Sequence, residues 1–418
     1  MALTLAPYHA AMRIGQGFNS YTHEILVNDA VVYDTETPGG DHYQGDTKQV
    51  SQIVSYCTRH VDKVSEVTDA MNVSAALSIK TATAGGGLTG SYVNSDKFKE
   101  STLNFFVQVT VVNQTIMAED VRQFNAIDGV WNTGKFMKVY GDCYISGFIE
   151  GGELDAIVSV KITDKSTESD IKAALEASFG QGNAAGGKLN ASFNLDKTNA
   201  LKNCETTITV NWNGGGDIKP ADELWSIESL TKAAAAFPYN VARCPQRTYA
   251  ILTKYENLLS FQKLSPKPTV LDYDVASLYT NDLLDAMMAY KNIWKKIHLV
   301  DTARENAGDS SEQVLELVNL LHSPGGTHTA SSQSSKNFEY PDNIGIRKDC
   351  RLEMLKIVKE VDEVIANPML ALDPERDLQY TNPTFFRRLL PVSCLRQHVT
   401  FAFFSLFLTM CFVDCYED

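Results

Sequence analysis

At 418 residues the chain exceeds one ordinary domain, and 44% hydrophobic against 21% charged residues is the balance of a folded protein rather than a disordered one. The 51 Asp and Glu outnumber the 37 Lys and Arg, for a formal charge of −14. A chain this acidic is repelled by phosphate backbones and anionic lipids, which argues against nucleic acid as a partner and leaves membrane attraction to local patches or apolar insertion.

The start, Met1-Ala2-Leu3-Thr4-Leu5, lacks the basic flank and apolar run of a secretory signal, so a cytoplasmic site of synthesis is expected. In that compartment Cys57, Cys143, Cys204, Cys244, Cys350, Cys394, Cys411 and Cys415, which show no metal-like pairing, should stay reduced. The sequons at Asn72, Asn113 and Asn190 would accept glycans only in a secretory lumen. Next, Ile14-Gly15-Gln16-Gly17-Phe18-Asn19 joins two glycines to an aromatic ring without the Gly-Lys run of a phosphate loop. Residues 24–27 and 30–33 read as strands.

Strict alternation follows. Val73, Ala75, Leu77 and Ile79 share one face, and Leu103, Phe105, Val107, Val109 and Val111 share another, with glycines at 85–87 between them. Beyond residue 152 the pattern returns in Ile171, Ala173, Leu175, Ala177 and Phe179, then in Leu189, Ala191, Phe193 and Leu195. The first of these two arms also satisfies helical spacing through Ile171, Ala174, Leu175 and Ser178, behind the cap-like Thr167-Glu168-Ser169-Asp170. Propensity favours the helix and period 2 favours the strand, so use of both states is expected. Alternation of this kind equally describes ordinary half-buried strands.

A strand over 206–212 stops at Gly214-Gly215-Gly216, and a helical tract follows. It includes 220–236 and 281–298, where Leu283, Leu284, Met287, Met288, Ile293 and Ile297 form a core stripe. Residues 301–338, rich in Gly, Ser, Thr and Gln towards their end, read as a linker. The extension 339–418 contains a helix over 351–367 and an apolar tail within 394–418. That tail is shorter than the ~20 residues of a helical span, and three readings stay open: a buried terminal element, a tail anchor, or translated non-coding sequence.

Tyr140-Gly141-Asp142-Cys143-Tyr144, followed by 145–150 and then Gly151-Gly152, resembles the signature of the membrane-attack-complex/perforin (MACPF) family. Asp142 stands where that family has Ser or Thr, and Cys143 where it has His. The order around the signature is also similar: an early Gly-x-Gly-aromatic, alternating regions on both sides, a strand ending in glycines. The likeness covers about residues 10–300. It implies an α+β fold of the MACPF/cholesterol-dependent-cytolysin kind, with a bent four-stranded antiparallel sheet flanked by two helical clusters, plus a C-terminal mainly helical extension.

The resemblance further implies a pore-forming protein that assembles as a homo-oligomer ring on a lipid membrane, a toxin or defence role, and insertion of two amphipathic β-hairpins per subunit. Their lipid faces would be Val73, Ala75, Leu77, Ile79 with Leu103, Phe105, Val107, Val109, and Ile171, Leu175, Ala177, Phe179 with Leu189, Ala191, Phe193, Leu195. Arms of about 9–11 alternating residues are what a closed membrane barrel requires. Gly151 and Gly152 would form the hinge of the sheet. The alternative is a non-lytic intracellular binding or developmental protein of the same fold.

No enzyme, cofactor or metal is expected. The histidines form no His-Glu-x-x-His and no Gly-x-Ser-x-Gly elbow occurs. The one nucleophile worth a check is Cys143, should His23 or His60 lie beside it; Asp272 and Asp274 read as solvated loop residues.

Overall fold

The computed structural model describes residues 4–33, 51–84, 98, 101–117, 122–162, 168–179, 204–307, 343–377 and 379–389. The chain divides into two packed units, Met1–Asp285 with Val361–Arg376, and Ala286–Glu360 with Asp377–Asp418. In chain order the described elements are β1 (Thr4–Pro7), β2 (Gly17–Asn19), β3 (Glu24–Ile25), β4 (Val31–Tyr33), β5 (Ile53–His60), α1 (Val64–Ala70), α2 (Ala75–Ala84), β6 (Leu103–Met117) and β7 (Arg122–Phe124). They continue as α3 (Phe136–Val139), β8 (Cys143–Lys161), α4 (Glu168–Phe179), β9 (Glu205–Asn213), α5 (Ile227–Arg243), β10 (Gln246–Lys254), α6 (Leu259–Gln262), α7 (Asp274–Ala307), α8 (Asn343–Ala366) and α9 (Pro383–Leu389).

The first unit is built on β8. One side of it pairs antiparallel with β6 over almost its whole length, and β6 pairs in turn with β5. The other side changes neighbour midway: residues up to Gly151 pair with β10, and those from Glu153 pair with β9. The antiparallel series β5, β6, β8, β9 therefore exists, within a sheet that β10, β1, β2 and β3 extend to eight strands.

The change of neighbour depends on Gly151-Gly152. A Cβ on Gly151 would lie 1.9 Å from the Val111 carbonyl oxygen, and one on Gly152 would lie 2.3 Å from Val241 Cγ2 and 3.1 Å from Phe237 Cζ. Opposite the pair, β6 shifts register between Val112 and Gln114, the local signature of a bulge. Two residues without Cβ thus let the bulged strand and α5 approach the same point of β8 from opposite directions.

Period 2 sorts the side chains. Leu103, Phe105, Val107, Val109 and Val111 of β6 join Leu154, Ala156, Val158 and Val160 of β8 in the main core. Over this face α5 lays Ile227, Leu230, Ala233, Ala234, Phe237 and Val241, a 3.6-period stripe, and α4 adds Ile171 and Leu175. Each large apolar side chain buried there contributes about 1.5–3 kcal/mol. The helix α5 begins at Ile227, later than the expected 220, because Ser226 and Ser229 form a reciprocal capping box.

Two expectations change. Residues 75–79, read as part of an alternating strand, are helical in α2, where alanines at 75, 76, 82 and 84 favour the helix and Ser74 Oγ accepts the Leu77 N–H at 3.3 Å. Residues 171–179 adopt the helical of their two periods. By contrast Leu103, Phe105, Val107 and Val109 do lie in a strand, but in the sheet core. Leu189, Ala191, Phe193 and Leu195, and the tail 394–418, lie outside the described residues.

The second unit contains the later part of α7, the earlier part of α8, and α9. Met287, Met288, Ile293 and Ile297 are buried, as a core stripe should be. Buried Glu353 accepts from the Thr381 N–H at 2.6 Å, and the Arg347 guanidinium lies 4.7 Å from the centre of the Trp294 ring. The expected linker start at 301 falls inside α7, and residues 308–342 lie outside the described residues.

Gly151→Ala should destabilise the protein by about 1–3 kcal/mol in urea unfolding, since the clash is with backbone. Gly134→Ala, where a Cβ meets nothing within 4 Å, should stay within about 0.5 kcal/mol.

Candidate functional site

The signature segment docks on the early Gly-x-Gly-aromatic. Gly141 has φ +76° and bridges Phe18; a Cβ there would lie 2.1 Å from the Phe18 carbonyl oxygen. Tyr140 is fully buried, its hydroxyl donating to the Asn125 carbonyl at 2.9 Å and accepting from the Ile127 N–H at 2.7 Å. The Tyr255 hydroxyl donates to the Tyr140 carbonyl at 2.8 Å, and the Tyr144 and Tyr255 ring centres lie 5.6 Å apart. With Phe124, Phe136 and Phe261 these rings form one aromatic cluster.

The two substituted signature positions have structural partners. Asp142 accepts from the Ser20 N–H at 2.8 Å and from the Ser20 hydroxyl at 2.6 Å, while burial raises its carboxyl above the usual carboxylate range. Cys143 donates to the Phe18 carbonyl at 3.4 Å, and its complete burial pushes the thiol well above its ordinary value. A thiol held protonated away from solvent is a poor nucleophile. Asp272 and Asp274 are exposed and pair with Lys254 at 3.2 and 2.9 Å.

Each helical segment is inserted between two strands that are antiparallel neighbours. Residues 61–102, containing α1 and α2, join β5 to β6; residues 162–204, containing α4, join β8 to β9. Adjacent antiparallel strands ordinarily need a turn of 2–5 residues. The inner faces of α1 and α2 are buried at Val64, Val67, Ala75 and Ile79, with Leu77 half-buried, and Val73 between the helices is buried too.

Polar ties hold this first segment. Ser65 gives its N–H and hydroxyl to Asp285 at 3.2 and 2.7 Å, Asn281 donates to Asp69 at 2.8 Å, Lys80 pairs with Asp362 at 3.1 Å, and the Ser74 hydroxyl donates to the Tyr21 carbonyl. The second segment is held differently, by Ile171 and Leu175 in the main core.

Beneath the end of α1 lies a polar cluster on the sheet face opposite the main core. The Gln108 side-chain amide lies 3.0 Å from Glu153 Oε1, 3.0 Å from Asp155 Oδ1 and 3.1 Å from the Ala70 carbonyl oxygen, and the Tyr249 hydroxyl donates to Glu153. The available signal was two carboxylates two residues apart in a strand whose other polar residues after its glycine pair are Ser159 and Lys161. Their neighbours come from distant segments.

No protein-family model matches the sequence, and no curated protein matches it. Solved structures of similar shape include stonustoxin, with a TM-score of 0.41 and 9% identity over 93% of this chain and 45% of that one. GNIP1Aa from Chromobacterium piscinae gives a TM-score of 0.33 and 12% identity over 59% of this chain and 52% of that one. The human-specific toxin intermedilysin gives 0.28 and 14% over 50% of this chain and 41% of that one. The chain thus spans less than half the length of the stonustoxin chain it matches. Its own architecture is a mixed one of antiparallel sheet and helices.

Asp142→Ala strips both Ser20 donors of their acceptor and should cost about 1–3 kcal/mol in urea unfolding at pH 7. Asp142→Asn keeps an acceptor for the Ser20 N–H without a buried charge and should cost less; equal losses would show that the Ser20 bonds do not set the stability of this junction.

Proposed function

We propose that this chain is a pore-forming protein that assembles into a homo-oligomeric ring on a lipid membrane and inserts two amphipathic β-hairpins per subunit, one from each helical segment. The observation that carries the reading is topological. Because 61–102 and 162–204 each join antiparallel neighbours, their arms can extend β5 with β6 and β8 with β9 as hairpins without changing any existing pairing. A closed barrel made of such hairpins from several subunits satisfies every backbone hydrogen bond within the bilayer.

The helical state keeps part of the prospective lipid face out of water. Ile79, Ile171 and Leu175 are buried in it, and the same residues fall on one face when the period becomes 2. Among the described residues no helix is long and apolar enough to cross a membrane, so an inserted helix is not the route proposed. The signature residues Tyr140, Gly141 and Tyr144 anchor the sheet, and Gly151 with Gly152 allows it to open. Synthesis in the cytoplasm, with the membrane-bound state formed on assembly, completes the proposal.

A non-lytic binding protein is the competing reading, supported by the polar ties that fasten α1 and α2. The two separate in one experiment. Single cysteines at 75–79, in a background with the exposed Cys57 and Cys244, the half-buried Cys204 and Cys394, Cys411 and Cys415 replaced by serine, carry an environment-sensitive fluorophore. On vesicles the odd positions should report lipid and the even ones water, alongside dye release and rings by electron microscopy. A helical pattern that persists on vesicles with no release would overturn the pore-forming reading.

A further inference from the structure

In the polar cluster beneath α1 two carboxylates lie within reach of one amide nitrogen. The Gln108 amide has two N–H bonds but three acceptors within reach, in Glu153, Asp155 and the Ala70 carbonyl. Tyr249 supplies Glu153 with one further hydrogen, and Asn72 hydrogen-bonds Tyr249 in turn. A proton retained on the carboxylate pair leaves one charge beside that amide instead of two. Without it, two charges two residues apart on one face of β8 compete for the same donor.

Among the described residues that face the pair, none carries a positive charge. Facing the pair are Gln108 from β6, Tyr249 and Thr248 from β10, Tyr8 after β1, and Met71, Asn72 and Val73 after α1. From β9 come Asn211, Trp212 and Asn213, which with the carboxylates border a cavity of about 100 Å³. The titratable groups among these are tyrosines. Arg247 of β10 turns its guanidinium over the Phe148 and Tyr8 rings instead, 4.7 and 5.8 Å from their centres.

We infer that Glu153, Asp155, Gln108 and Tyr249 form a proton-dependent lock on α1 and α2, closed while the carboxylate pair holds a proton and released when both acids ionise. The lock joins what would have to separate: Gln108 reaches the last residue of α1, and the Tyr249 bond to Glu153 spans the glycine pair. Burial raises both carboxyls, Glu153 to about 8 with the Asp155 charge adding to the effect, and Asp155 to about 7. Acids whose folded values lie above their unfolded ones bind more protons when closed. Their contribution to the closed state is therefore full at and below about pH 4 and is lost as pH rises through 7 to 8.

The inference stands apart from pore formation, because its readout needs no membrane. Hydrogen exchange of the full chain, corrected for intrinsic rates, should show protection at 64–84 falling at least about tenfold between pH 5.5 and 8.5, the equivalent of one pK unit, while α5 on the opposite face changes little. Glu153→Gln with Asp155→Asn should remove at least half of that slope. A flat wild-type profile, or an unchanged slope in the double variant, would overturn the lock. Should that variant not fold, Asp155→Asn alone should still lower the slope, and carboxyl carbon-13 titration of the wild type decides the matter: both acids titrating near 4 would exclude the mechanism.

Discussion

Strand β8 must serve two sets of neighbours, and the close approach permitted at Gly151-Gly152 is what lets it do so. On one side of the pair the strand belongs with β10, on the other with β9, while β6 follows it throughout. Any side chain at 151 would collide with the Val111 carbonyl, and any at 152 with the ring and methyl groups that α5 brings to the sheet. Close packing transmits such collisions rather than absorbing them. The placement of α5, the bulge in β6 and the reach of Tyr249 across to Glu153 all depend on those two absent methyl groups.

The sheet holds its two inserted segments by different physics. Segment 162–204 contributes Ile171 and Leu175 to the main core, so α4 is held by apolar burial that weakens little with pH or salt. Residues 61–84 rest on the other face through buried Val64, Val67, Ala75 and Ile79 and also through hydrogen bonds and an ion pair, to Asp285, Asn281, Asp362 and Tyr21, above the carboxylate pair. Polar ties of this kind contribute modestly each and depend on protonation and competing water. The two segments therefore need not be released by the same event.

The signature residues are structural. Asp142 and Cys143 depart from the family pattern, yet Asp142 finds both donors of Ser20 and Cys143 donates to the Phe18 carbonyl. What the segment requires is the positive φ of Gly141, which brings its backbone against Phe18, and the aromatic rings of Tyr140 and Tyr144 packed with Tyr255. Chemistry at Cys143 is closed off by the same burial that makes the junction stable.

Sequence alone determined the strand over 103–111, the close approach at Gly151-Gly152, the core stripe of α7 and the order of the elements. Each is a local pattern whose period or missing side chain has one physical solution. Residues 75–79 and 171–179 were compatible with two periods, and there the tertiary structure decided: the helix wins where Ser74 caps it and where a core face waits for Ile171 and Leu175. Glu153 and Asp155 read as the wet face of a strand. They are taken largely out of solvent because α1, β10 and β9, far apart in sequence, close over that face, and burial is a property that no residue's own neighbours in the chain can set.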